Sequence, residues 1–175
     1  PISKVLAKQA LRLMGAALET AVHKPRDIEA RSDMLLGSLL AGQAFANSPV
    51  AAVHALAYPI GGHYKVPHGL ANALVLAQVL RFNAVTAPQS YAEIAACAFP
   101  DLAGLRPQAA ATAFAEAMAD LSKRCGLQQR LRDLGIKRGA LPMLAGDAMN
   151  QTRLLVNNPR TVTQADALAI YEAVW

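Results

Sequence analysis

The sequence predicts an all-α protein, a multi-helix bundle of roughly seven to nine helices with the long ones first and the short ones last. Apolar residues recur at three- and four-residue intervals in one segment after another, and no segment shows the sustained alternation of a half-buried strand. Proline, glycine and capping residues then punctuate those periodic segments at intervals suited to helices.

From Ser3 to Val22, the residues Ile2, Val5, Leu6, Leu13, Met14, Ala17 and Ala21 share one side, while Lys4, Lys8, Arg12 and Glu19 fall on the other. This is an amphipathic helix with Ser3 as its expected cap, ended by His23-Lys24-Pro25. Asp27 caps a second helix to about Asn47, more apolar all round than the first and therefore expected to be central. Its Gly37, Ala41, Gly42, Ala44 and Ala46 would let neighbours approach closely. A helix through His54 is expected to break at Pro59, with a loop over Gly61-Gly62 and a new helix from near Gly69 to Asn83. Ala87 to Phe99 reads as a short helix closed by Pro100, and Leu102 to Pro107 as a loop. Ala109 to Arg124 puts Ala113, Phe114, Met118 and Leu121 on one side, with Gly126 to terminate it. Gln128 to Leu134 and Leu141 to Met149 read as two short helical pieces, and Asn157-Asn158-Pro159-Arg160 as a turn. Thr163 with Asp166 three residues on is a capping box for a last helix, Gln164 to Val174.

At 175 residues the chain suits one domain with a single good core. The apolar share is 54%, mean hydropathy is +0.23, and 17% of residues are charged, against roughly 25% in an average soluble domain. So little charge implies that another domain or subunit covers part of the surface. The chain begins Pro1-Ile2-Ser3 rather than with methionine, as expected of a fragment, a processed chain or an engineered piece. Met34 to Tyr64 holds no charged side chain, but polar residues and prolines leave only Met34 to Ala46 nearly continuous. That run is short of the about 20 residues a membrane span needs, so a buried core helix is expected. Lys8, Gln9 and Arg12 interrupt any signal-peptide pattern. Cys97 and Cys125 have no metal-like spacing and read as buried or free thiols in a reducing, cytoplasmic setting.

The net charge of +5 concentrates between Lys123 and Arg138, where six basic residues meet one acid, Asp133. A phosphate-binding face would look like this, but no interleaved aromatic is present to stack bases, and the segment reads as a solvated helix face without nucleic acid.

The unusual chemistry lies between Ala51 and Ala73, which holds three of the four histidines, His54, His63 and His68. A helix end followed by a fixed turn and a new helix would bring His54 and His68 towards each other, as half of a metal site. Spacing alone is weak support for that and leaves hydrogen-bonded or capping histidines open, because a compact HExxH motif sets its ligands one turn apart and supplies an acid between them. His23 is expected to be solvated at a helix end, and His63 partly exposed in a loop.

The extended pattern carries more. HALAYPIGGHYKVPHGLANALVL, from His54 to Leu76, resembles the metal-binding segment of the iron-dependent (group III) alcohol dehydrogenases, H-x-x-x-H-P-L-G-x-x-x-x-x-P-H-G-x-x-N-A. MLLGSLLAGQAFANSPVAAVH is similar to the helix leading into it, and NNPR followed by Thr163, Asp166 and Ile170-Tyr171-Glu172 to the family's C-terminus. The resemblance covers the whole chain. It implies that residues 1–175 are a C-terminal helical, metal-binding domain of dehydroquinate-synthase-like fold, without the N-terminal α/β domain that binds NAD or NADP. It further implies four ligands to Fe(II), or sometimes zinc: an Asp and a His one turn apart, in a segment that would precede Pro1, and two more His matched by His54 and His68. The metal site would be incomplete in this chain, and the isolated domain inactive.

The parent enzyme would use the ion as a Lewis acid on the oxygen of a small alcohol or aldehyde substrate, with hydride passing between substrate and cofactor. A homodimer is expected. Tyr58 stands where many members carry a His that helps relay the alcohol proton. A phenol with an ordinary pKa near 10 is a poorer proton acceptor at neutral pH, so Tyr58 is either a hydrogen-bonding catalytic residue or a ring packed on Pro59. Lys65 and Ala77-Gln78 also depart from the family pattern and point to a distinct substrate preference. Phe45 and Val50 are the expected apolar lining of the substrate pocket. The alternatives are a maleylacetate or keto-acid reductase of the same family, or a non-catalytic helical binding module.

Overall fold

The computed structural model describes residues 2–175. Nine α-helices follow one another among the described residues, with no strand. They are α1 (Ile2–His23), α2 (Ile28–Asn47), α3 (Ala52–Tyr64), α4 (His68–Ala84), α5 (Pro88–Ala98), α6 (Pro107–Arg124), α7 (Leu141–Met149), α8 (Thr152–Leu155) and α9 (Gln164–Ala173).

The expected caps and stops hold at four places. Asp27 accepts from the Ala30 amide at 3.0 Å at the start of α2. Thr163 and Asp166 form the reciprocal capping box of α9. Gly126 takes φ +78 after α6, where its amide reaches Lys123 O and that of Leu127 reaches Ser122 O, closing off carbonyls that the helix leaves open. Residues 157–160 turn as expected, and two amides there hold neighbouring elements, as described below.

Five expectations fail. Ser3 is no cap, because α1 already includes Ile2. The predicted break at Pro59 does not occur: α3 runs through Pro59, Gly61 and Gly62 to Tyr64. A proline inside a helix costs about 3 kcal/mol or more through the missing donor and its clash with the preceding turn. Leu56 and Ile60, both fully buried, each return about 1.5–3 kcal/mol on leaving water, so burial outweighs the local preference. The helical piece expected over Gln128 to Leu134 is only a 3₁₀ turn at Leu131–Leu134. A further 3₁₀ turn, Pro100–Leu102, stands where only a stop at Pro100 was expected, and it leads into the expected loop. The helix α2, expected at the centre, lies at the periphery against α1, with Leu35 75% and Leu39 56% exposed.

The main core gathers where α3, α4, α7 and α9 meet, around Leu56, Ile60, Leu74, Val75, Leu144 and Tyr171. A second cluster joins α4, α5 and α6 through Leu80, Ala95, Ala98, Phe114 and Ala115. The α1–α2 hairpin rests on α5, where Gly15 is needed: a Cβ there would sit 2.5 Å from the Ala98 carbonyl oxygen. No helix among the described residues is long and apolar enough to cross a membrane.

Tyr171 is fully buried in α9 and donates its hydroxyl to the Leu56 carbonyl oxygen of α3 at 2.6 Å. Burial, reinforced by the Asp147 carboxylate, drives its pKa far above the ordinary tyrosine value. Tyr171→Phe should lose about 1 kcal/mol in denaturant unfolding. The wild-type fold should also weaken as pH rises past about 10, because the unfolded phenol ionises there and the buried one does not. The Phe variant should lack Tyr171's share of that alkaline decline.

Candidate metal centre

Two helices and a three-residue return build the histidine site. The α3 helix starts after Ala51, whose carbonyl accepts the first helical bond from Ala55 at 3.1 Å. His54 lies in its first turn and Tyr58 one turn later on the same face. At the other end Lys65 adopts a left-handed backbone, φ 57, and its amide closes onto Gly61 O at 3.0 Å. Buried Val66 and extended Pro67 bring the chain back, and α4 begins at His68.

Three rings meet there. The centroids of His54 and His68 are 5.2 Å apart, those of Tyr58 and His68 6.0 Å, and those of His54 and Tyr58 6.2 Å with the rings edge-on. His54 is half-buried, whereas His68 is exposed and Tyr58 is 42% exposed, so the cluster opens to solvent. Tyr58 turns its ring to the histidines rather than inward. Burial, and secondarily the neighbouring His68, lowers the pKa of His54 below 6.5, which favours the neutral ring with a free lone pair.

The structure brings together three of the predicted residues and sorts out the rest. His63 is in the last turn of α3, not in a loop. Nine residues from His54 is about two and a half turns, so His63 faces the opposite side, where its Nε2 pairs with Asp147 Oδ2 of α7 at 2.5 Å. His23 donates from Nε2 to the Arg124 carbonyl at 3.0 Å, tying the ends of α1 and α6. Phe45 borders a groove between α1 and α2 with Ala41, Ala44 and Met14. Among the described residues no three His, Cys, Asp or Glu side chains gather as a metal-holding group.

Sequence reasoning missed the residues that hold these elements in place. Asn157 donates to the Val50 carbonyl at 3.1 Å, anchoring the segment just before α3. Asn158 and Asn83 exchange amide hydrogen bonds at 2.7 and 2.9 Å, and Asn83 also reaches the Tyr91 hydroxyl at 3.1 Å. Arg160 caps the Phe82 carbonyl at 3.1 Å and stacks 3.9 Å over the Phe82 ring. The NNPR run was visible as a turn, but its partners lie 75 to 107 residues away.

Residues 1–175 match the model of the Fe-containing alcohol dehydrogenase family, C-terminal. The chain belongs to that family. The chain is 37% identical over 171 residues to the 1,3-propanediol dehydrogenase of Klebsiella pneumoniae, covering 98% of the chain and 44% of the relative. It is 38% identical over 175 residues to long-chain-alcohol dehydrogenase 1 of Geobacillus thermodenitrificans, covering 100% and 44%. A crystal structure of a 1,3-propanediol oxidoreductase superposes with a TM-score of 0.95 at 36% identity, covering 100% of this chain and 46% of that one. The chain thus spans under half the length of these relatives, and its all-α fold is that of their helical part.

In a pH titration followed by imidazole proton resonances, His54 should take up its proton below pH 6.5. His68→Ala should move that midpoint back only part of the way, because burial is the larger cause. The depressed value also means that the unfolded chain protonates first, so His54 should subtract stability as pH falls from 6.5. Acid unfolding of His54→Ala should show a shallower slope in that window.

Proposed function

We propose that residues 1–175 form the helical, metal-holding domain of an NAD- or NADP-linked alcohol dehydrogenase, with His54 and His68 as two ligands of a divalent ion, Fe(II) or zinc. The observation that carries the reading is the meeting of two imidazoles on an open face, 5.2 Å between centroids. A nitrogen about 2.1 Å from an ion puts its ring centroid roughly 3.3 Å away, and two such rings at a near-tetrahedral angle stand about 5 Å apart. The donor chemistry fits as well, since imidazole suits iron and zinc and His54 is held towards its neutral form.

When bound, such an ion supplies Lewis acidity towards an alcohol oxygen while the nicotinamide takes the hydride. The chain's own residues position and shield. His54, on a helix packed into the core, offers its lone pair with little freedom to turn away. Tyr58, 6.0 Å from the His68 ring, is placed to donate a hydrogen bond to an alcohol or aldehyde oxygen at this face. Phe45 and Val50 supply apolar lining ahead of the first ligand. Two imidazoles are half of the four ligands that the resemblance implies, so we read the domain alone as inactive, completed by a nucleotide-binding domain. Exposed Leu35, Leu36 and Leu39 on α2 support a covering partner, as does the relatives' more than twofold greater length. The names of the relatives support small and longer primary alcohols as the substrate class.

Calorimetric titration of the chain with Zn(II) tests the ligand assignment. Changes outside a ligand shell cost about 10–100-fold in metal affinity, so His54→Ala and His68→Ala should each weaken binding by at least about ten-fold. Unchanged affinity in either variant would remove that residue from the site. In the enzyme completed by its nucleotide-binding domain, Phe45→Ala should shift kcat/KM between short and long alcohols, and an unaltered ratio would take Phe45 out of the pocket.

A further inference from the structure

The first turn of α4 holds a contact that decides how His68 presents its lone pair. Asn72 stands one turn after His68. Its Nδ2 lies 2.9 Å from the His68 carbonyl oxygen and 3.0 Å from His68 Nε2. An amide nitrogen carries two hydrogens, and these two contacts use both. Turning the amide over would set Oδ1 against the carbonyl oxygen, two acceptors facing each other, so the carbonyl fixes the amide's orientation. The amide holds this orientation even though it leaves Asn72 Oδ1 buried without a hydrogen-bond partner. Nε2 of His68 is therefore the accepting nitrogen, and the proton of the neutral ring sits on Nδ1.

We propose that Asn72 is a latch on His68, a positioning residue that fixes the ring's tautomer and occupies the Nε2 lone pair until a metal displaces it. The inference rests on the metal-site reading above. Asn72 does two things with one nitrogen. It selects the tautomer in which Nε2 carries a lone pair, which a ligand needs, and it caps that lone pair with a hydrogen, which a metal must remove. The bond to the carbonyl survives release of Nε2, so the amide stays beside the ring it frees. A latched His68 would keep the open face from loading loosely held cations, leaving the site to ions that gain enough from the full ligand set to open it.

Two measurements on the 175-residue chain separate the latch from the metal site. Long-range proton–nitrogen NMR of the metal-free protein, above the histidine titration range, should show His68 protonated on Nδ1. Asn72→Leu, which keeps volume and removes both donors, should abolish that preference. Asn72→Asp should reverse it, because a carboxylate accepts the Nε2 proton. Titration with Co(II), read through its visible absorption, should be about two- to ten-fold tighter in Asn72→Leu than in wild type, the worth of one neutral hydrogen bond. His54→Ala should weaken it in both backgrounds. A His68 tautomer that ignores both substitutions, or Co(II) binding equal or weaker in Asn72→Leu, would overturn the latch. A tautomer that follows Asn72, with no His54-dependent Co(II) binding in any variant, would instead overturn the metal site and with it the latch's role.

Discussion

The continuity of α3 through Pro59 is the constraint on which the rest of the molecule depends. A proline at that position withdraws a donor from Ala55 and crowds the turn behind it, yet Ala55, Leu56, Ala57, Pro59 and Ile60 are all buried, and Leu56, Ala57 and Ile60 belong to the main core. The burial that straightens the helix also fixes which face remains outside, and that face carries His54 and Tyr58. Tyr171 adds a hydroxyl to the Leu56 carbonyl, the one next to the carbonyl that Pro59 cannot serve. Had the helix ended at Pro59, the eight residues that follow would have had no defined path to His68.

The α3–α4 pair is held at its two outer ends by distant side chains. Asn157 holds the segment before α3 through the Val50 carbonyl. The Asn83–Asn158 pair, with Tyr91 and Arg160, holds the far end of α4. Buried amides left unpaired are costly, and fully paired ones are directional, so this network sets the position of α4 more sharply than the surrounding alanines and leucines can. A chain with so few charges and so many small apolar residues packs easily in more than one way. The network, almost the sole polar content of its core, selects among them.

Local signals were readable from the sequence wherever local chemistry decides the outcome. The period of α1 and α6, the cap at Asp27, the stop at Gly126 and the box at Thr163–Asp166 all lie within a few residues of their effects. What escaped depends on partners far along the chain or outside it. Pro59 was overruled by tertiary burial. His63 found Asp147 at a separation of 84 residues, and the period of α3 then placed it away from His54. The apolar surface of α2 reads as core in any composition analysis, and only its packing against α1 shows it at the periphery. The histidine pair was weak by spacing and became informative through its surrounding pattern, because thirteen intervening residues can meet or diverge according to one left-handed residue, Lys65.

The chemistry of the site follows from how differently its two imidazoles are held. His54 is half-buried on a helix anchored in the core, and desolvation disfavours its charged form whatever approaches. His68 is exposed at the first position of α4, where Asn72 holds its Nε2 at 3.0 Å. On the metal-site reading proposed above, His54 would set the place of an ion and His68 would leave Asn72 to meet it. A site built this way does not require both nitrogens to be aimed in advance. It would require one fixed donor, a second nitrogen within reach, and a fold stiff enough that the first does not move.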